Sequence, residues 1–554
     1  MSPANAAAAS GNRAGDPARR TEEKPRKCPV PPCPRWRRAT TKDKTIPCAN
    51  PRPGALTGTP RAWGGERLGN NPARRRPVPA FPPPPRSHDG RVQEPRQVHF
   101  IGICGTAMAS VAAELQRLGW QVTGSDQNAY PPMSEFLADR GIAIRTPYAG
   151  ANLPEAPDLV VIGNAISRGN PEAEIVLERR LPFCSLPDLL REQFLRGRRP
   201  LVVAGTHGKT TTSAMLAWVL EVAGLEPGFL IGGIPENFGA GARFTDSPWF
   251  VIEGDEYDTA FFDKRSKFIH YLPEVAILNN LELDHVDIFE NEAAIQRSFS
   301  HLIRLVPRNG LVLANGDDPR LRPLLDVDFC PVRTYGFGEH NDLHPTRIEA
   351  DPEGTLFEAD GVEFRLPLAG RHNVLNALAV VACARHCGVN DATLRDALAR
   401  FRGVRRRQDV LGEPGGVLVI DDFAHHPTAI EATLEALRQR HPGRRLWAVF
   451  EPRSNTTRRR VFQERLAAAL ARADCAVVAP VARAALLAEE ERLDVGRLVR
   501  DIQAAGRNAW AGENVAAIVE LLAAKTRPGD VVAVLSNGGF ENLTRRLLER
   551  LEAG

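Results

Sequence analysis

From residue 97 onward one pattern recurs: a run of four to six mostly apolar residues, a glycine or an acid at its end, then apolar positions at helical spacing. Strands are predicted at 98–103, 121–125, 158–164, 201–204, 249–253, 275–279, 417–421, 446–450, 475–479 and 531–535. Helices are predicted over 106–118, from Thr210 (with Met215, Leu216, Val219, Leu220 and Val222 on the recurring positions) and from Gly370 (with Leu375, Leu378 and Val381). Strand, turn and helix in steady alternation predict an α/β fold with parallel sheets. Residues 330–368, with turns at Gly354 and Gly361, read instead as a small antiparallel insert. Three domains are expected: a Rossmann-like unit over 97–197, a central phosphate-loop unit over 198–402 and a C-terminal Rossmann-like unit over 403–554.

Residues 1–96 break the pattern. They are rich in Pro, Arg, Ala and Gly, with few large apolar side chains, and are expected to be a disordered basic extension. Cys28, Cys33 and Cys48 match no zinc spacing. No Met lies between Met1 and Met108, and a valine-codon start at Val92 or Val98 would put the first strand at the beginning. The chain's net charge of +4 is a property of this segment. Residues 1–97 carry 20 Lys and Arg against 7 Asp and Glu, leaving 51 basic and 60 acidic residues in the body. Nothing in that balance predicts a nucleic-acid partner. Nine scattered cysteines are no disulfide framework and point to reduced thiols and a cytoplasmic protein; no apolar run is long enough to span a membrane.

The chemistry gathers at strand ends. After strand 201–204 comes Gly205-Thr206-His207-Gly208-Lys209-Thr210-Thr211, a short variant of the phosphate loop. Its backbone amides and helix start can face a polyphosphate, Lys209 adds charge and the Thr210 hydroxyl can hold Mg²⁺. Strand 249–253 ends in Glu253-Gly-Asp-Glu-Tyr-Asp258, and strand 275–279 leads to Asp284-His285. Glu253 can complete a Mg²⁺ shell with Thr210, and His285 can serve a second ion. The first strand runs into Gly102-Ile-Cys-Gly105, whose missing glycines, at Cys104 and Met108, weaken a nicotinamide reading but leave a nucleotide diphosphate at the helix start.

These motifs, with Gly370-Arg-His-Asn373, Arg405-Arg-Arg407 and Asp421-Asp-Phe-Ala-His-His-Pro427, stand in the order of the Mur ligases, and residues 97–554 resemble that family. Asp255–Lys267 and Phe450–Thr456 are similar to the branch that joins L-Ala-γ-D-Glu-meso-diaminopimelate to UDP-N-acetylmuramate in murein recycling; the alternative is the alanine-adding branch of de novo peptidoglycan synthesis. The resemblance implies an ATP- and Mg²⁺-dependent ligase forming an acyl phosphate, working as a monomer or weak homodimer. It implies Lys209, Glu253, His285 and Arg407 as catalytic, with Thr210, Glu253 and His285 on metal. Gly205, Thr206, His207, Gly208, Lys209, Thr210, Thr211, Asn373 and Asp422 would bind ATP; Gly105, Thr106, Ser125, Asp126, His425 and Arg453 would bind substrates. The chain departs from several family members in having no lysine between Glu290 and Leu305 to carry a carbamate; position 300 is Ser. Competing readings are an oxidoreductase, a phosphate-loop motor and a non-catalytic binding protein.

Overall fold

The computed structural model describes residues 96–129, 133–284 and 288–553, so the disorder expected of the N-terminal extension falls, Arg96 apart, outside the described residues. The first sheet has five parallel strands in the order Ile144–Arg145, Gln121–Ser125, Gln97–Ile101, Leu159–Ile162 and Phe183–Ser185. Strand order reverses beside Gln97–Ile101, and the carboxyl ends of such a switch point open a crevice for ligands. There Gly102 turns at φ +86°, and the amides of Gly102 and Ile103 bond the Ser125 carbonyl at 2.9 and 3.0 Å. Helix Thr106–Arg117 follows, burying Met108, Ala109, Val111, Ala112 and Leu115 against the sheet.

The second sheet orders Val332–Tyr335, Leu311–Asn315, Val275–Leu278, Arg199–Ala204, Trp249–Gly254, Gly228–Leu230 and Ala242–Arg243; all pairs are parallel except the last. Its middle strands are buried on both faces, which is why they read as unbroken apolar runs. Helix Lys209–Val222 lies on it and shares a core with helix Arg371–His386. The antiparallel insert is narrower than expected: Pro345–Asp351, Gly354–Ala359 and Val362–Leu366 form it, while Val332–Tyr335 joins the large parallel sheet. Leu311–Asn315, Gly228–Leu230 and the hairpin of Asp258–Ala260 with Asp263–Ser266 were not foreseen.

A six-stranded sheet closes the chain, ordered Asp409–Gly412, Leu418–Asp422, Val531–Leu535, Leu446–Phe450, Cys475–Val478 and Asn508–Ala511, parallel but for Asp409–Gly412. Among the described residues no helix is long and apolar enough to cross a membrane.

Candidate active site

A cavity of about 560 Å³ lies where the second sheet's strand ends face the C-terminal sheet. Its floor is the loop 205–208. Gly205 (φ +141°) and Gly208 (φ +80°) take conformations that side chains resist, and a Cβ on Gly208 would stand 2.5 Å from Asn376 Oδ1. Gly208 caps the helix without a side chain, so the first-turn amides are available to an anion. Asn280 holds the loop from below, accepting from the Thr206 amide through its carbonyl (3.1 Å) and from the His207 amide through Oδ1 (2.7 Å).

Lys209 Nζ donates to the Gly205 carbonyl (2.7 Å) and to Glu256 Oε1 (2.9 Å). Burial opposes its charge, but Glu256, Asp255 and Glu253 outweigh that and shift its pKa upward. Lys209 is therefore a held cation rather than a base. Thr210 donates to Glu253 Oε1 at 2.9 Å, and Glu253 Oε2 accepts from the Gly232 amide at 2.7 Å. Two oxygens about 2.9 Å apart match one edge of an octahedron of oxygens at about 2.0–2.1 Å from its centre, so this pair fits Mg²⁺. His285, the other expected metal ligand, lies outside the described residues.

The C-terminal side supplies the opposite wall. Arg407 Nη2 reaches Thr210 Oγ1 at 3.3 Å; burial lowers its pKa. Asp422, beside it, accepts from the amides of Gln408 (2.8 Å) and Ala424 (2.7 Å), and burial raises its pKa. Asn373, on helix Arg371–His386, lines the cavity from the phosphate-loop side, as Thr211 does; it is buried and donates to the Ala369 carbonyl at 2.8 Å. His425 lines the cavity 3.9 Å from Asp284, and Thr456 donates to Asp284 at 2.7 Å, tying the two sheets' loops together.

A second cavity, of about 280 Å³, runs from Gly105 and Thr106 at the first unit's helix start to Lys267 and Tyr271, and shares Glu253 and Asp255 with the first. The two cavities thus adjoin at Glu253 and Asp255, between the first unit's helix start and the phosphate loop. Asp126 serves the glycine turn, accepting from the Cys104 amide at 3.0 Å. Three expected substrate residues, Asp126 among them, stand outside both cavity linings. Ser125 is fully buried and bonds to Glu172, since its position on the strand turns the hydroxyl inward. Arg453 lies over Gly538 and pairs with Glu451 at 3.3 Å, outside both cavity linings.

Among the lining residues given no role in the motif reading are Glu256, Asp318, Glu282 and His372, the last although it stands in the Gly370–Asn373 motif. Glu256 was only part of an acidic string until its pairing with Lys209 placed it. Asp318 accepts from the Leu281 amide at 2.8 Å, and His372 shows burial pushing its pKa down to about 4. Glu282 receives the Thr428 hydroxyl at 2.7 Å; burial pulls its pKa up, but His207 and Thr428 prevail and hold it down at about 2. An acid two positions before Asp284 was the available signal for Glu282.

Comparison with known proteins gives this arrangement a family. The Mur ligase family catalytic domain matches residues 97–198, the Mur ligase middle domain 203–384 and the Mur ligase glutamate ligase domain 406–538. The UDP-N-acetylmuramate–L-alanyl-γ-D-glutamyl-meso-2,6-diaminoheptandioate ligase of Haemophilus influenzae is 45% identical over 462 residues, 82% of this chain and 99% of that one. The UDP-N-acetylmuramate–L-alanine ligase of Halorhodospira halophila is 36% identical over 481 residues, 85% and 96% of the two chains. A crystal structure of a murein peptide ligase from Psychrobacter arcticus aligns with TM-score 0.63 at 37% identity, covering 82% of this chain and 98% of that one. With all three of its domains matched and its full-length relatives aligned almost end to end, the chain belongs to the Mur ligase family of ATP-dependent ligases.

Proposed function

We propose that this enzyme joins the tripeptide L-Ala-γ-D-Glu-meso-diaminopimelate to UDP-N-acetylmuramate at the expense of ATP, returning a murein peptide to the precursor pool. The observation that carries the reading is the step in identity between 45% to a tripeptide-adding relative and 36% to an alanine-adding one, each over nearly its whole length. Moving a phosphoryl group onto a carboxylate brings anions together, so the site's main task is to hold positive charge around them. Lys209 and Arg407 supply it from opposite walls of the cavity. Thr210 and Glu253 would hold Mg²⁺, which neutralises phosphate charge when bound. The second cavity, lined by Gly105 and Thr106 at one end and Glu253 at the other, supports entry of the UDP-sugar from the first unit. We assign ATP contacts to residues 205–211, Asn373 and Asp422, and leave the incoming amine to the His425 side.

The test is ATP-dependent coupling of UDP-N-acetylmuramate with tripeptide, dipeptide or free L-alanine. The expected order of kcat/KM is tripeptide, then dipeptide, then alanine, because contacts remote from the amine contribute to transition-state binding. Efficient use of alanine with no gain from the longer peptide would assign the chain to the alanine-adding branch.

A further inference from the structure

Beside the phosphate loop three side chains converge from three distant segments: His207 of the loop, Glu282 beyond strand Val275–Leu278, and His426 at the start of helix Pro427–Arg440. Their ligand atoms all lie within 4.8 Å of one another. His207 Nε2 is 3.0 Å and His426 Nδ1 3.3 Å from the same oxygen, Glu282 Oε2. Nitrogens and oxygens at tetrahedral corners about 2.0–2.2 Å from Zn²⁺ are separated by about 3.3–3.6 Å. The two edges that meet at Glu282 are within a few tenths of an ångström of that spacing, and the third, between the two imidazoles, is no longer than 4.8 Å.

The Thr428 amide points at His426 Nδ1 from 3.4 Å, which casts Nδ1 as a lone-pair acceptor, while Nε2 of this buried ring has no hydrogen-bond partner. An ion bound at Nδ1 would take the place of that long amide contact and lie against the Glu282 carboxylate, 3.3 Å from Nδ1. Two imidazoles and one carboxylate, with no thiolate, make a donor set suited to zinc. Thr428 Oγ1 at 2.7 Å and Arg465, 3.7 Å from Oε1, orient the carboxylate as outer partners.

We propose that His207, Glu282 and His426 form a binding site for a zinc-class dication, separate from the Thr210–Glu253 pair, that fastens the C-terminal sheet to the phosphate loop when filled. This does not depend on which amine the enzyme uses. The experiment takes the full chain, stripped with a chelator and exchanged into buffer without Mg²⁺ or ATP, and titrates Zn²⁺ against a chromophoric competitor. The wild type should take one equivalent that Glu282→Gln and His426→Asn bind at least about tenfold more weakly, the lower bound set by loss of a mere outer partner. Asn at 426 preserves a helix cap and Gln at 282 preserves the Thr428 bond, and melting without metal identifies any variant that fails to fold, leaving the other to decide. Co²⁺ at the site should give a spectrum without thiolate charge transfer. Equal zinc affinity in wild type and folded variants, no binding below about millimolar zinc, or a thiolate spectrum that persists in the variants would overturn the proposal.

Discussion

Lys209 meets Glu256 from 47 positions downstream, and that partner decides how the lysine behaves. Its charge is fixed before nucleotide arrives, so Lys209→Ala should remove transition-state stabilisation without unfolding the protein. By analogy with lost oxyanion donors, kcat should fall about 10²–10³-fold, or about 2.7–4 kcal/mol; near-normal turnover in a folded variant would refute the loop's role. His372 carries a pH prediction. Burial takes its pKa from 6.5 to about 4. Between those values the unfolded chain binds a proton that the folded protein does not, so stability rises with pH from about 4 to about 6.5 and then levels, by at most about 1.4 kcal/mol per pH unit. Urea unfolding of His372→Asn at pH 4.5 and 7 should show a flatter dependence than wild type. Lys209 and Thr210 were legible because their chemistry is local to a seven-residue motif. Glu282 was not, because the Thr428 that binds it is 146 residues away. Ser125 was misread because a residue at a strand's end gives no hint of which way its hydroxyl turns.

Among elements, the junction of strand Arg199–Ala204 with helix Lys209–Val222 is the most constrained. At Gly208 a side chain meets both a left-handed φ of +80° and Asn376 and Asn279 within 3 Å. Gly208→Ala should cost at least about 1–2 kcal/mol of stability from backbone conformation alone and should weaken ATP binding, read by urea midpoint and nucleotide titration; an unchanged midpoint would mean the turn can relax. Strands such as Val275–Leu278 were readable because burial on both faces leaves an uninterrupted apolar run. Leu311–Asn315 is as apolar, but it stands without a motif at its end and went unassigned. Val332–Tyr335 shows the other failure: its residues suit a strand, but only its parallel partner Leu311–Asn315 reveals which sheet it joins.

On the scale of the whole molecule, the family matches begin at residue 97, and relatives are covered almost end to end by 82% of this chain. Removing residues 1–90 should therefore leave kcat, KM and Tm unchanged within error, and a marked drop in any of them would give that segment a role in the body. The contact between Thr210 and Arg407 has a wider consequence, because Thr210 opens the helix that follows the second sheet's strand Arg199–Ala204 and Arg407 stands two residues before the C-terminal sheet's strand Asp409–Gly412. With Arg407 in the role proposed for it, a hinge motion that parted those sheets would carry the guanidinium away from the phosphate loop while Lys209 stayed behind. An open enzyme would then hold nucleotide with one of its two cations missing. Futile turnover would be throttled by a lever arm, with fuel consumed only by molecules already shut around their cargo.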